Sequence, residues 1–157
     1  ASDGAANDRF GRYVDIGENG VIAVGAYGDN GENGAVYVYT PDGNGGYSEQ
    51  KLTASDGTNA DFLGTSVSIT ESGVILAGAF QTDDGASNEG SIYIFTPNGN
   101  GGYTETKLTA SDGAAGDYFG YASDINESGV IVSGALFDDD LGANSGSLYV
   151  YTPDGMG

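Results

Sequence analysis

Two short runs of acid carry the most chemistry in this sequence. "TDDG" sets Asp83 and Asp84 side by side, and "FDDDLG" sets Asp138, Asp139 and Asp140 in series. Carboxylates clustered on loops between apolar segments are the oxygen donors that hard cations take. Ca²⁺, with its six to eight oxygen ligands, is therefore the one cofactor these five residues are candidates to hold. Paired carboxylates about 5–9 Å apart could also cleave a glycosidic bond. Little other chemistry is open, because the 157 residues include no Cys and no His. That removes disulfides, thiolate nucleophiles, Cys-ligated metals and the commonest general base.

The charge narrows the partners. With 23 acidic residues against four basic ones, the chain carries a formal net charge of −19. Such a field repels phosphate backbones and anionic lipid, so nucleic acid and membrane insertion are both set aside. No stretch is long and apolar enough to cross a bilayer as a helix. The acid alternates with evenly spaced apolar segments, which distinguishes it from a disordered polyanion. A surface of this kind stays hydrated in concentrated salt, where screening removes its self-repulsion. The sequence has neither an initiator Met nor a secretory leader, as expected of a processed or trimmed chain or a piece of a longer one.

The elements that must position these acids come in three copies. "LTASDG" stands at 52–57 and again at 108–113, and the chain opens with "ASDG". The tripeptide Ser-Asp-Gly recurs at spacings of 53 and 56 residues, and Pro41, Pro97 and Pro153 recur every 56. The three-residue difference falls in one loop, where "YGDNGENG" is the short form of "FQTDDGASNEG" and "LFDDDLGANSG". Each unit reads as four short strands. The first is "RYVDI", "TSVSI" or "YASDI", and after a tight turn the second is the near-continuously apolar "VIAVGA", "VILAGA" or "VIVSGA". The third alternates aromatic and aliphatic residues in "AVYVYT", "SIYIFT" or "SLYVYT". A Gly-rich turn leads to the fourth, "YSEQKLT" or "YTETKLT". No segment has helical periodicity. The class is all-β, and repeated four-stranded antiparallel units are the pattern of β-propeller blades. The blades divide as 1–53, 54–109 and 110–157, the last without its outer strand. "LTASDG" then ends the outer strand of one blade and carries the chain to the inner strand of the next.

On these residues, "RFG…VGAYGD…GAVYVY", "FLG…AGAFQTDD…GSIYIF" and "YFG…SGALFDDD…GSLYVY", the chain resembles FG-GAP repeats, the blades of integrin α-subunit propellers and of prokaryotic surface proteins. The resemblance implies adhesion or recognition outside the cell, in a ring of roughly seven blades. Three blades do not close a ring, so further blades are expected from the same or another chain. One departure is Leu63, where the other copies have Phe10 and Phe119. A second is the calcium loop that the family usually carries between first and second strands. Here that position holds only "IGENGV", "ITESGV" and "INESGV", too short to supply the ligands.

Antiparallel strands send alternate connections to opposite faces. The loops between second and third strands and the interblade linkers share one rim. That rim collects Asp3, Asp8, Asp29, Glu32, Asp56, Asp61, Asp83, Asp84, Glu89, Asp112, Asp117, Asp138, Asp139 and Asp140. Asp3, Asp56 and Asp112 precede Gly and are expected to close turns on their own backbone. Asp8, Asp61 and Asp117 are expected to act as turn or strand-entry caps. Tyr37, Tyr39, Tyr93, Phe95, Tyr149 and Tyr151 are expected to pack between blades. Arg9 and Arg12, unique to the first copy, are expected to pair locally with acid.

The expected function is a non-catalytic recognition, adhesion or structural module with no enzyme activity, on a cell surface or otherwise extracellular, from a salt-loving microbe or on a virion as a host-binding spike. Its partner is then a protein or glycan on a cell surface. The alternatives are a carboxylate glycoside hydrolase and a purely architectural unit of a surface layer or filament.

Overall fold

The computed structural model describes residues 1–153. The last four residues of the third unit, 154–157, lie outside the described part. Strands form where the apolar alternation places them: β1 (Val14–Ile16), β2 (Ile22–Ala26), β3 (Ala35–Pro41) and β4 (Tyr47–Leu52) make the first sheet in that order. The second sheet repeats the order with β5 (Val67–Ile69), β6 (Ile75–Ala79), β7 (Ser91–Pro97) and β8 (Tyr103–Leu108). The third contains β9 (Phe119–Ile125), β10 (Ile131–Ala135) and β11 (Ser147–Tyr151). Every pairing within the sheets is antiparallel. One feature departs from the all-strand expectation. Asp29–Glu32 form a single helical turn, α1, with Asn30 and Gly31 in left-handed geometry. A Gly and an Asn in this short loop make that conformation accessible.

The third strand of each blade sorts its side chains by the period of two. Val36 and Val38 leave one face of blade 1 to meet Ile69 and Ile75 of blade 2, where Tyr93 and Phe95 also point. Leu76 and Ile92 of blade 2 then meet Phe119, Ile125 and Ile131 of blade 3, with Tyr149 and Tyr151 packed against them. The same positions are open at the two ends of the array. Ile69 and Ile125 are at most 9% exposed but Ile16 is 62%, and Val36 and Ile92 are fully buried while Leu148 is 69% exposed. Leu63 is as completely buried as Phe119, so the substitution keeps its place in the core. Phe10, in the first of the described blades, is 40% exposed and packs edge-on to Tyr37.

Close backbone approach explains the paired glycines. Gly64 and Gly120 have φ near +90°, a conformation available at little cost only to glycine. Opposite them stand Gly25 and Gly78 of the preceding blades, where a Cβ would overlap the carbonyl oxygens of Gly64 and Gly120. At Gly134, the third copy of this position, no further blade stands opposite among the described residues, and the nearest neighbour to such a Cβ is 3.8 Å away.

Candidate functional site

The linkers and β2–β3-type loops do converge on one rim, and two constellations occupy it. The first lies toward the outer strand. In blade 1 the Tyr37 hydroxyl shares its one proton between Asp3 Oδ1 at 2.6 Å and Asp29 Oδ2 at 2.5 Å. Lys51 Nζ donates to the other oxygen of each carboxylate at 2.8 Å, and sits 5.2 Å from the Tyr37 ring centre. Blade 2 repeats this, with the Tyr93 hydroxyl on Asp56 at 2.8 Å and Lys107 on Asp56 at 2.7 Å and Asp84 at 2.5 Å. In blade 3 the Tyr149 hydroxyl reaches Asp112 at 2.7 Å and Asp138 at 3.0 Å.

The electrostatics follow from this geometry. The hydrogen bond from Lys51, then that from Tyr37, takes the Asp3 carboxyl from 3.8 down to about 2. Burial opposes the charge on Lys51, but its bonds to Asp29 and Asp3 outweigh that and raise its pKa. Burial likewise opposes ionisation of Asp56, yet Lys107 and Tyr93 hold its pKa down. Tyr93 is pushed up, first by burial and then by Asp56.

Asp3 and Asp56 keep a bond to their own backbone, as the sequence led us to expect, but the lysine and tyrosine beside them are their stronger partners. The reason is positional: each Ser-Asp-Gly turn lies beside the third strand's tyrosine, and in the first two blades beside the fourth strand's lysine. A phenol and an ammonium there outweigh the local bond. The serine is held too, since Glu49 accepts from the Ser2 amide at 3.1 Å and Glu105 from the Ser55 amide at 3.0 Å. Asp8, Asp61 and Asp117 act as turn caps, accepting from the amides of Ala5, Thr58 and Ala114 at 2.5, 2.6 and 2.7 Å.

The five cation candidates are dispersed in their roles. Asp83 accepts from the Asn88 amide at 2.7 Å, and Asp84 is bound by Lys107 and by the Ser91 hydroxyl at 2.6 Å. Asp138 is buried, with its pKa lowered first by the Asp140 amide. Asp139 and Asp140 are exposed, and Asp138 heads the charges that raise the Asp140 carboxyl. Among the described residues, no group of three or more acidic side chains is arranged to hold a metal ion.

The second constellation, toward the first strands, consists of residues the sequence reading missed. Tyr27 contacts Phe62 with ring centres 6.1 Å apart, Phe62 stacks on Phe80 at 5.3 Å, and Phe80 meets Tyr118 edge-on at 5.2 Å. Tyr118 then meets Phe137 at 5.2 Å, so the rings run unbroken across all three blades. Arg9 lies over Tyr27 at 5.0 Å, and Arg12 donates to the Tyr27 hydroxyl at 2.7 Å. Of the two arginines expected to pair with acid, Arg9 does so with Glu32 at 3.4 Å, whereas Arg12 binds this tyrosine. Arg9, Phe62 and Tyr118 occupy equivalent positions, and all three have φ between 55° and 61°. Left-handed geometry at a non-glycine residue in every blade costs about 1–3 kcal/mol. It places this side chain on the rim. The usable signal was an aromatic directly after Gly-Ala in two copies, Tyr27 and Phe80.

Two complete four-stranded antiparallel sheets and a three-stranded third, stacked face to face through equivalent positions, define successive blades of a β-propeller. The paired glycines at each blade boundary belong to the motifs that name the family. The FG-GAP repeat matches residues 1–39, 47–95 and 103–151, most of the chain, and the protein belongs to that family. No curated protein matches it.

Proposed function

We propose that the protein is a non-catalytic extracellular recognition module that engages a protein or glycan of another surface through the aromatic rim. The observation that carries this reading is the run of ring contacts from Tyr27 to Phe137, half-buried as far as Tyr118 and exposed at Phe137. It crosses every blade boundary beneath loops that differ in length and sequence on a repeated frame. Variable loops on a rigid scaffold are where binding residues concentrate. Aromatic faces and edges supply contact area at low entropic cost to an apolar or sugar surface. The repeated acids beside the stack are committed to Lys51, Lys107 and the tyrosines, which favours a framework role over paired-carboxylate hydrolysis. The acidic surface supports a saline setting, a salt-loving microbe or a virion that meets one.

The lateral faces left open by Ile16 and Leu148 repeat the buried interfaces between blades. We assign them to further blades of this repeat, in the same or another chain. The functional test is binding of labelled protein to arrayed glycans and surface proteins in 1 M KCl. The expected result is saturable binding that Phe62→Ala and Tyr118→Ala weaken at least tenfold without unfolding. Binding indifferent to both variants, or hydrolysis of an arrayed glycan, would contradict the reading.

A further inference from the structure

We infer that Asn126 is an acceptor for N-linked glycosylation, on the face of the blades opposite the aromatic rim. The inference rests on the extracellular part of the proposed function, because such sugars are attached outside the cytoplasm. Asn126-Glu127-Ser128 is the only place in the sequence where Asn is followed two residues later by Ser or Thr. That pattern is the acceptor signal, and it acts on exposed turns. The three residues form the tip of the hairpin between β9 and β10, and all three are exposed. Asp124, two residues before Asn126, presents an exposed carboxylate, so a transferase that also reads acid at that place is satisfied.

The turn holds the side chain ready for this chemistry. Asn126 Oδ1 accepts from the Ser128 and Val130 amides, each at 3.0 Å. Both donors are N–H groups, so the oxygen faces the turn and Nδ2 is left over. Neither Nδ2 nor the Ser128 hydroxyl makes a hydrogen bond among the described residues. A sugar in place of one Nδ2 hydrogen therefore keeps both turn bonds. The fold does not require an amide here. In blade 2 the position is Thr70, whose Oγ1 accepts from the Val74 amide at 3.1 Å and lies 2.9 Å from the Ser72 hydroxyl. In blade 1 it is Gly17, and Asn19 Oδ1 accepts from the Val21 amide at 2.9 Å instead. Blade 3 alone leaves an amide nitrogen and a hydroxyl free at one tip. In the transfer, Nδ2 attacks the anomeric carbon of an oligosaccharide carried on a lipid pyrophosphate. A C–N bond forms as the C–O bond to phosphate breaks. The lipid pyrophosphate leaves with the electron pair, and the amide proton passes to a carboxylate of the transferase.

The folded intact chain is incubated with a lipid-pyrophosphate-linked oligosaccharide and a single-subunit membrane transferase, beside a peptide of residues 122–130, ASDINESGV. Intact mass and peptide mapping read the product. The expected result is a gain of one oligosaccharide, mapped to Asn126, on chain and peptide alike. Asn126→Gln and Ser128→Ala should lose it, and Ser128→Thr should keep it. Asn126→Gln could disturb the hairpin, whereas Ser128→Ala keeps the amide that makes the turn bond and removes only the hydroxyl. The glycosylated chain should melt within about 2 °C of the bare one. A folded chain left bare, with or without modification of the peptide, would overturn the inference. Transfer to another residue, or a glycosylated chain that unfolds, would overturn it as well. The arrayed surfaces, probed with the bare chain, test recognition separately. Rim binding without transfer at Asn126 removes only this inference, and transfer without rim binding removes only the recognition role.

Discussion

Lys51 and Asp3 meet at 2.8 Å although 48 residues separate them. The contact ties the segment that enters the first blade to the strand that ends it. Asp29, fixed to the same ammonium, adds the loop between β2 and β3, so one side chain joins three separate parts of the blade. Lys107 does the same for blade 2 through Asp56 and Asp84. The rim acids are thus largely the means by which each blade holds its linker and loop together.

The glycines between blades give a paired prediction. In Gly78→Ala the new Cβ would overlap the Gly120 carbonyl, a backbone group that cannot turn aside. A loss of about 3 kcal/mol is expected from such overpacking. Gly134→Ala alters the same motif where the nearest atom is 3.8 Å away, and should change stability by less than about 1 kcal/mol. Thermal melts of the two variants check this. Equal losses would mean that the close approach of blades is not what selects glycine.

Stability should depend on pH with a sign set by the bridged carboxylates. The folded Asp3 carboxyl lies at about 2, below its ordinary 3.8, and Asp56 is shifted the same way. Their contribution is present above pH ~4 and lost as pH falls toward 2. Asp61, raised by burial, works in the opposite sense and partly offsets this loss. Lys51 and Lys107, both raised, stabilise below about pH 10 and lose that effect at higher pH. In 1 M KCl, where the Debye length is about 3 Å, general self-repulsion is screened and the bridges dominate. Melting temperature should then be flat from about pH 5 to 9 and fall on both sides. An acid limb unchanged by combining Lys51→Met with Lys107→Met would contradict the assignment.

Calcium offers a separate check on the loop acids. Asp84 and Asp138 already serve Lys107, Ser91 and Tyr149. Calorimetric titration with Ca²⁺ in molar salt should accordingly show no saturable heat. Saturable heat that disappears in Asp139→Ala would establish the 138–140 loop as a calcium site.

The strands and their repeat were legible because alternation and turn residues are local signals. "SIYIFT" shows both its faces in six letters, and Tyr93 and Phe95 pack between blades as that alternation implied. The lysine bridges were not legible in the same way. Asp56 and Lys107 are 51 residues apart, and only the order of strands in the sheet brings them together. A trace was present, since Lys51 and Lys107 are the only lysines in a strongly acidic chain and hold the same place in their repeats. In blade 2, Thr82 stands where Asp29 and Asp138 stand in the other two, and Asp84 reaches the site from two residues further along. Alignment alone would have missed it. The aromatic stack escaped notice because Phe62 and Tyr118 lie outside the strands, in left-handed conformations that no strand or helix pattern announces.

The central claim is that the rim acids are structural partners of the outer-strand lysine, and a double-mutant cycle on Lys107 and Asp56 tests it most directly. Wild type, Lys107→Met, Asp56→Asn and the double variant are melted in parallel. Lys107 is 20% exposed and Asp56 about half, so solvent screening reduces the pair well below a fully buried one. Each single change is expected to cost about 1–2 kcal/mol, and the double about as much as either alone. Fully additive losses would mean that the two groups do not act together, and the acids would need another role.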